Sequence, residues 1–318
     1  MFRKLCASLA LAAATLAGAQ AQELPKELNF GIISTEAAQN LKKDWEPFLA
    51  DLEKRLGVKV NAFFAPDYAG IIEGMRFNKV QVAWYGNKSA MEAVDRANGE
   101  VFVQSVSTDG SLGYYSLIAV HKDSPHRTLD DVLKNAKSLS FGIGDPNSTS
   151  GFLVPGYYAF AQNNVDPKTA FKVVRGANHE ANILAVANRQ LDASVFSSDT
   201  FERVERNRPE VAAQVRTVWK SPMIPSDPIV WRKDVPPELK KRLKEFFLTY
   251  GKKDAREAEI LRKITFSGFV ESSNAQLKPI RQLELFKDRT RIAADAKLPE
   301  AERKTRLSDI DRKLAELK

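Results

Sequence analysis

Ser148, Thr149 and Ser150 put three hydroxyl side chains in a row between two opposite patterns. Before them, residues 138–143 read as a strand that ends in Gly142-Ile-Gly-Asp-Pro-Asn147. After them, Phe152, Val154, Tyr157 and Tyr158 open a helix-like run expected over about 151–163. A strand–loop–helix start leaves backbone N–H groups unpaired and turns the positive end of the helix dipole toward the loop. Such an end holds phosphate-like anions without a metal. Pro155 is compatible, because the first turn of a helix tolerates proline. The simpler alternative is an ordinary N-cap, with one hydroxyl capping the helix and the others in water.

Other chemistries are poorly supplied. Gly142 and Gly144 are not followed by the third glycine of a dinucleotide fingerprint, and neither a P-loop nor a serine elbow occurs. Of three histidines, His121 and His126 stand outside any metal-ligand spacing. The single cysteine, Cys6, sits in an N-terminal leader, so thiol catalysis, disulfides and zinc–thiolate sites are excluded from the remaining chain. We therefore expect no enzyme, no catalytic residues, no metal and no cofactor.

That leader has Arg3 and Lys4, then a short apolar run from Leu5 to Leu16, then Ala19-Gln20-Ala21 as a cleavage site. The run is shorter than the ~20 residues of a spanning helix. It reads as a signal peptide over 1–21 that sends the chain to the periplasm. About 300 residues remain, enough for about two domains. The net charge of +8 leans toward anionic ligands. Basic and acidic residues alternate along the chain, which excludes a nucleic-acid surface.

The elements that would position the hydroxyls are α/β. Strand-like runs at 28–33, 58–64 and 80–85 alternate with helical patterns, one carrying Trp45, Phe48, Leu49 and Leu52 and another Ile71, Ile72 and Met75. A second unit spans strands near 116–121, 138–143, 171–175, 191–196 and 215–220. Repetition of this kind predicts mostly parallel sheets. The proline-punctuated run from Ile224 to Trp231 reads as a return to the first unit. Two crossings make a hinged cleft. From Pro237 the chain is helix-rich, and Leu307, Ile310, Leu314 and Leu317 make a narrow apolar stripe. That stripe suits packing on its own lobe or a homodimer through the C-terminal helices.

Several long segments carry a resemblance to a known family: Asn29-Phe-Gly-Ile-Ile-Ser-Thr35, Val60-Asn-Ala-Phe-Phe-Ala-Pro-Asp-Tyr-Ala-Gly70, Met75-Arg-Phe-Asn-Lys79, Ala83-Trp-Tyr-Gly-Asn87, Gly144 to Tyr158 and Asp227-Pro-Ile-Val-Trp-Arg232. The chain resembles the periplasmic phosphonate-binding component of phosphonate ABC transporters, within the type II solute-binding superfamily. The resemblance implies two lobes, with lobe 1 over 22–115 and 229–285, lobe 2 over 116–228 and a helical tail over 286–318. It implies a phosphonate held by Ser148, Thr149, Ser150, Tyr68, Tyr114 and His179. It implies an ammonium group, as in aminoalkylphosphonates such as 2-aminoethylphosphonate, met by Asp227 and Asp199. Asp199 stands where the family usually has glutamate, one methylene shorter. It further implies delivery to an ABC permease after closure about a hinge near Tyr115 and Ile229. The alternative is a binder of phosphate, phosphite or a sulfonate. The reference pKa of about 6.5 for histidine leads to the expectation that His179 binds best when protonated.

Overall fold

The computed structural model describes residues 24–317. The expected signal peptide and its cleavage site lie outside the described residues. The chain begins with β1 (Glu27–Ile32), β2 (Lys59–Phe64), β3 (Val82–Trp84) and β4 (Gly99–Ser107). It leaves through the two-residue β5 (Gly113–Tyr114) and builds β6 (Ser116–His121), β7 (Ser140–Ile143), β8 (Val173–Gly176), β9 (Ala193–Ser197) and β10 (Val215–Lys220). It returns through β11 (Ile224–Pro225), which pairs with β5, into β12 (Pro228–Arg232) and later β13 (Phe266–Glu271). Two sheets result. One runs β13-β4-β12-β3-β1-β2 and the other β10-β6-β9-β7-β8.

The sheets are mixed, which corrects the expectation of mostly parallel ones. β1 pairs in parallel with β2 and β3, and β7 with β8 and β9. β12 is antiparallel to both β3 and β4, β13 to β4, and β6 to β9 and β10. The cause is the double crossing. A strand that re-enters a sheet from the other lobe arrives from the opposite end to one delivered by a βαβ crossover.

Helix Ala38–Leu56 forms because Leu41, Trp45, Phe48, Leu49, Leu52 and Leu56 fall on one face and are all buried. It stops at Gly57, whose φ of 67° is the left-handed conformation that a helix-ending residue adopts and glycine tolerates. Phe48 meets Phe246 and Tyr250 edge-on at 5.3 and 5.0 Å, and Trp45 lies 5.2 Å from Trp84. These aromatics fasten the helix, together with helix Pro237–Thr249, to the six-stranded sheet.

The helix expected from residue 151 starts two residues earlier, and it is wide. Residues 149–153 and 156–160 make π-type turns, in which Val154 N–H reaches back to the Thr149 carbonyl. Such turns recur at functional sites. The boundary expected at residue 286 falls inside a continuous helix, Lys278–Ala294. The last helix, Glu300–Glu316, folds back on it, burying Ile310 and partly burying Leu307, Leu314 and Leu317. Asp311 pairs with Arg289 at 2.7 Å, and Gln282 donates to the Leu317 carbonyl at 2.9 Å. The stripe read from sequence is thus used within the chain. No helix among the described residues is long and apolar enough to cross a membrane.

Candidate functional site

The strand directions decide where the chemistry gathers. β1, β2 and β3 run parallel, so their carboxyl ends share one edge of the first sheet. From that edge come Thr35, Tyr68 at the start of helix Tyr68–Arg76, and Trp84. β7, β8 and β9 also share a direction, and their carboxyl ends deliver residues 148–150, His179 and Asp199. Tyr114 lies on the outgoing crossing strand and Asp227 just after the returning one. All eight residues singled out in the sequence line one cavity with about 320 Å³ of empty volume between the lobes. Ligands of α/β proteins bind in such crevices beyond the carboxyl ends of strands.

One end of the cavity is built of donors. Ser148 is the N-cap of the wide helix, its Oγ accepting from Gly151 N–H at 2.9 Å. Gly144 and Gly151 make this turn possible, because a Cβ on Gly144 would stand 2.6 Å from the Gly151 Cα. Thr149 Oγ1 accepts from Lys88 N–H at 2.8 Å, a bond from one lobe to the other. Both hydroxyls act as acceptors in these bonds, so each keeps its own hydrogen to donate. The Ser150 carbonyl accepts from the Ser116 hydroxyl at 2.6 Å, which fixes the turn to β6. The N-cap alternative therefore describes Ser148 correctly without excluding it from an anion. Burial, and then the nearby carboxyls of Asp227 and Asp145, push the Tyr68 phenol upward. Burial, Asp227 and Asp199 do the same to Tyr114. Both phenols stay protonated donors.

His179 corrects one expectation. Its Nδ1 accepts from Ser197 N–H at 3.2 Å, so the network assigns the proton to Nε2, which lies 3.3 Å from Ser148 Oγ. Burial, and then the charge of Arg203, bring its pKa down to about 3. Protonating Nδ1 would sacrifice the Ser197 bond in a site already holding a buried guanidinium. His179 donates as a neutral ring. Affinity profiles of wild type and His179→Gln measured by calorimetry over about pH 5.5–8.5 should therefore run parallel, offset by a constant factor. A bend near pH 6 found only in wild type would restore the charged histidine.

The other end carries carboxyls. Asp227 is buried, and its pKa is raised well above the usual carboxylate range by burial first and by Asp199 second. Asp199 keeps some surface, but burial is still the first cause of a pKa pushed up to about 7, with Arg203 opposing it and Glu202 adding to it. Asp227 Oδ1 has no hydrogen-bond partner, and neither has Trp84 Nε1 or Thr35 Oγ1. The indole lies near enough to the Asp227 carboxyl to offset part of its shift, yet without a well-formed bond. Three orphaned polar atoms lining one small cavity mark it as a place built for a polar guest.

Thr35, Trp84 and Arg203 were not singled out as contacts in the sequence. Thr35 follows an apolar strand with nothing to mark it, and Trp84 reads in the sequence as an aromatic near the cleft mouth that nothing makes a contact. Only their unpaired buried atoms reveal them. Arg203 sits one turn after Asp199 in helix Ser198–Asn207, and nothing in its spacing distinguishes it from a solvated charge. Among the described residues there is no group of three or more His, Cys, Asp or Glu side chains placed to hold a metal.

Comparison with known proteins agrees with this geometry. Residues 30–277 match the model of the family described as ABC transporter, phosphonate, periplasmic substrate-binding protein. The chain is 52% identical over 322 residues to the phosphonates-binding periplasmic protein of Escherichia coli, covering 100% of this chain and 95% of that one. It superposes with a TM-score of 0.90 on a crystal structure of a binding-protein component of an ABC phosphonate transporter from Pseudomonas aeruginosa, at 55% identity, covering 93% and 97% of the two chains. A Prochlorococcus marinus protein solved in complex with methylphosphonate superposes at 0.73 with 26% identity, covering 81% and 97%. A match over most of the chain, joined to two lobes that meet over a cleft of hydroxyl donors, establishes that this chain belongs to the phosphonate-binding periplasmic proteins of ABC transporters.

Proposed function

We propose that the protein captures aminoalkylphosphonates, 2-aminoethylphosphonate among them, and presents them to a membrane permease. The observation that carries this reading is the polarity of one cavity between the lobes. Ser148, Thr149, Ser150, Tyr68, Tyr114 and His179 supply donors for a phosphonate, while Asp199 and Asp227 supply acceptors for an ammonium group. Hydrogen bonds to an ionised group are the stronger kind. Two carboxylates beside an anion would repel it unless a cation lay between them. The short Asp199 leaves more room at its end than a glutamate would.

A second reading draws on the raised pKa values. A protonated Asp227 could donate to the oxygen of a small oxyanion such as phosphate, phosphite or a sulfonate. Isothermal titration with 2-aminoethylphosphonate, ethylphosphonate and inorganic phosphate separates the two. The amine-bearing ligand should bind tightest. Phosphate binding as tightly as 2-aminoethylphosphonate would replace the first reading with the second.

A further inference from the structure

We infer that Glu36, Asn40, Glu180 and Arg203 form a latch that holds the lobes shut and acts alike on every ligand. The inference rests on the proposed phosphonate capture, because it concerns how the captured ligand is kept.

The latch joins the loop after β1 and the first turn of helix Ala38–Leu56 to two helices of the opposite lobe. Arg203 is buried, and so is Glu36, to which its Nε donates across the lobe boundary. Arg203 Nη1 donates to Thr265 Oγ1 of the first lobe at 2.8 Å, and Nη2 to Thr200 Oγ1 of its own helix at 3.1 Å. One helix away, the Glu180 carboxylate accepts from Asn40 Nδ2 at 3.0 and 3.2 Å and from Ala37 N–H at 3.3 Å. Glu180 N–H donates to the Thr35 carbonyl at 3.3 Å. His179 and Glu180 thus divide the work. The first faces the ligand cavity, and the second grips the other lobe.

Position separates these bonds from the ligand contacts. Glu36, Asn40 and Glu180 do not line the ligand cavity. They line a separate groove on its outer side, with the Arg203 side chain as the wall between the two. A bond that exists only when the lobes meet stabilises the closed complex by the same amount whatever the ligand. It therefore slows dissociation without altering preference. Removing one partner of a buried charged pair acts chiefly on the dissociation rate.

The test is stopped-flow binding of 2-aminoethylphosphonate and ethylphosphonate to wild type, Glu36→Gln, Glu180→Ala, Asn40→Ala and the Glu180→Ala/Asn40→Ala pair. Dissociation of both ligands should accelerate about tenfold or more in Glu36→Gln and several-fold in Glu180→Ala. Association should change by less than about twofold, and the affinity ratio of the two ligands should stay at its wild-type value. The double variant should be no faster than Glu180→Ala alone, since that single change already removes the bond from Asn40. Asn40 is exposed and Glu180 half-buried, so their variants remain informative if Glu36→Gln folds poorly. A changed affinity ratio would make these residues ligand readers and overturn the latch. Unchanged dissociation in every variant would overturn it too. Wild type that binds neither phosphonate would instead refute the proposed capture.

Discussion

Replacing Asp227 with Asn is expected to erase most of the preference for 2-aminoethylphosphonate over ethylphosphonate. The carboxyl group is buried, and its Oδ1 has no hydrogen-bond partner within the protein. An ammonium group placed there would receive a desolvated charge–charge hydrogen bond. Removing one partner of such a pair costs about 2–5 kcal/mol, with each 1.4 kcal/mol worth a factor of about ten. Ethylphosphonate offers no cation, so for it Asn should be neutral or favourable. Calorimetry on both ligands reads the gap directly, and an unchanged gap would take Asp227 out of the ammonium site. The same variant should affect the empty protein. The pKa of Asp227 is higher in the closed cavity than in water, so the closed empty form is favoured at low pH. That advantage fades as pH rises, and at neutral pH the carboxyls oppose closure. Asp227→Asn removes this opposition, and ligand-free scattering at pH 7 should give a smaller radius of gyration than wild type.

Thr149→Ala should weaken all phosphonates together. Its hydroxyl has two partners in view, the Lys88 N–H that it accepts from and the anion that it would donate to. Loss of a hydrogen bond to a charged group costs about 1.5–3 kcal/mol, and the interlobe bond adds about 1 kcal/mol. The affinity should fall by a factor of roughly one hundred or more, with no shift in the amine preference. Thr149→Ser keeps both bonds and should recover most of the loss. Ser148→Ala differs in kind. Its Oγ caps the wide helix, so the variant should also lose about 1 kcal/mol of stability in thermal unfolding. Wild-type affinity in Thr149→Ala would place the anion elsewhere in the cavity.

Family, two-lobed fold and the identity of eight cavity residues were legible in the sequence, some through local patterns and others through long segments shared with a family. The hydroxyl run sits at a strand–helix junction, which periodicity locates without coordinates. Tyr68, Tyr114, His179, Asp199 and Asp227 came from long matched segments rather than from their own chemistry. Strands β4 and β13 escaped notice. Gly99-Glu-Val-Phe-Val lacks clean alternation, and Phe266-Ser-Gly-Phe-Val-Glu lies in an otherwise helical region with a glycine at its centre.

Sequence by itself determined which side chains could meet an anion, because residue type fixes donor and acceptor character. Tertiary structure alone decided their state and their partners. Whether His179 carries a charge depends on Ser197, 18 residues away, and on a guanidinium brought in by a neighbouring helix. Whether Asp199 and Asp227 ionise depends on how much water the opposite lobe removes. Thr35 and Trp84 became visible only as buried atoms without partners, and Arg203 only through Glu36, 167 residues distant along the chain. Burial and long-range charge are sums over everything that packs nearby, and no window of sequence contains those terms.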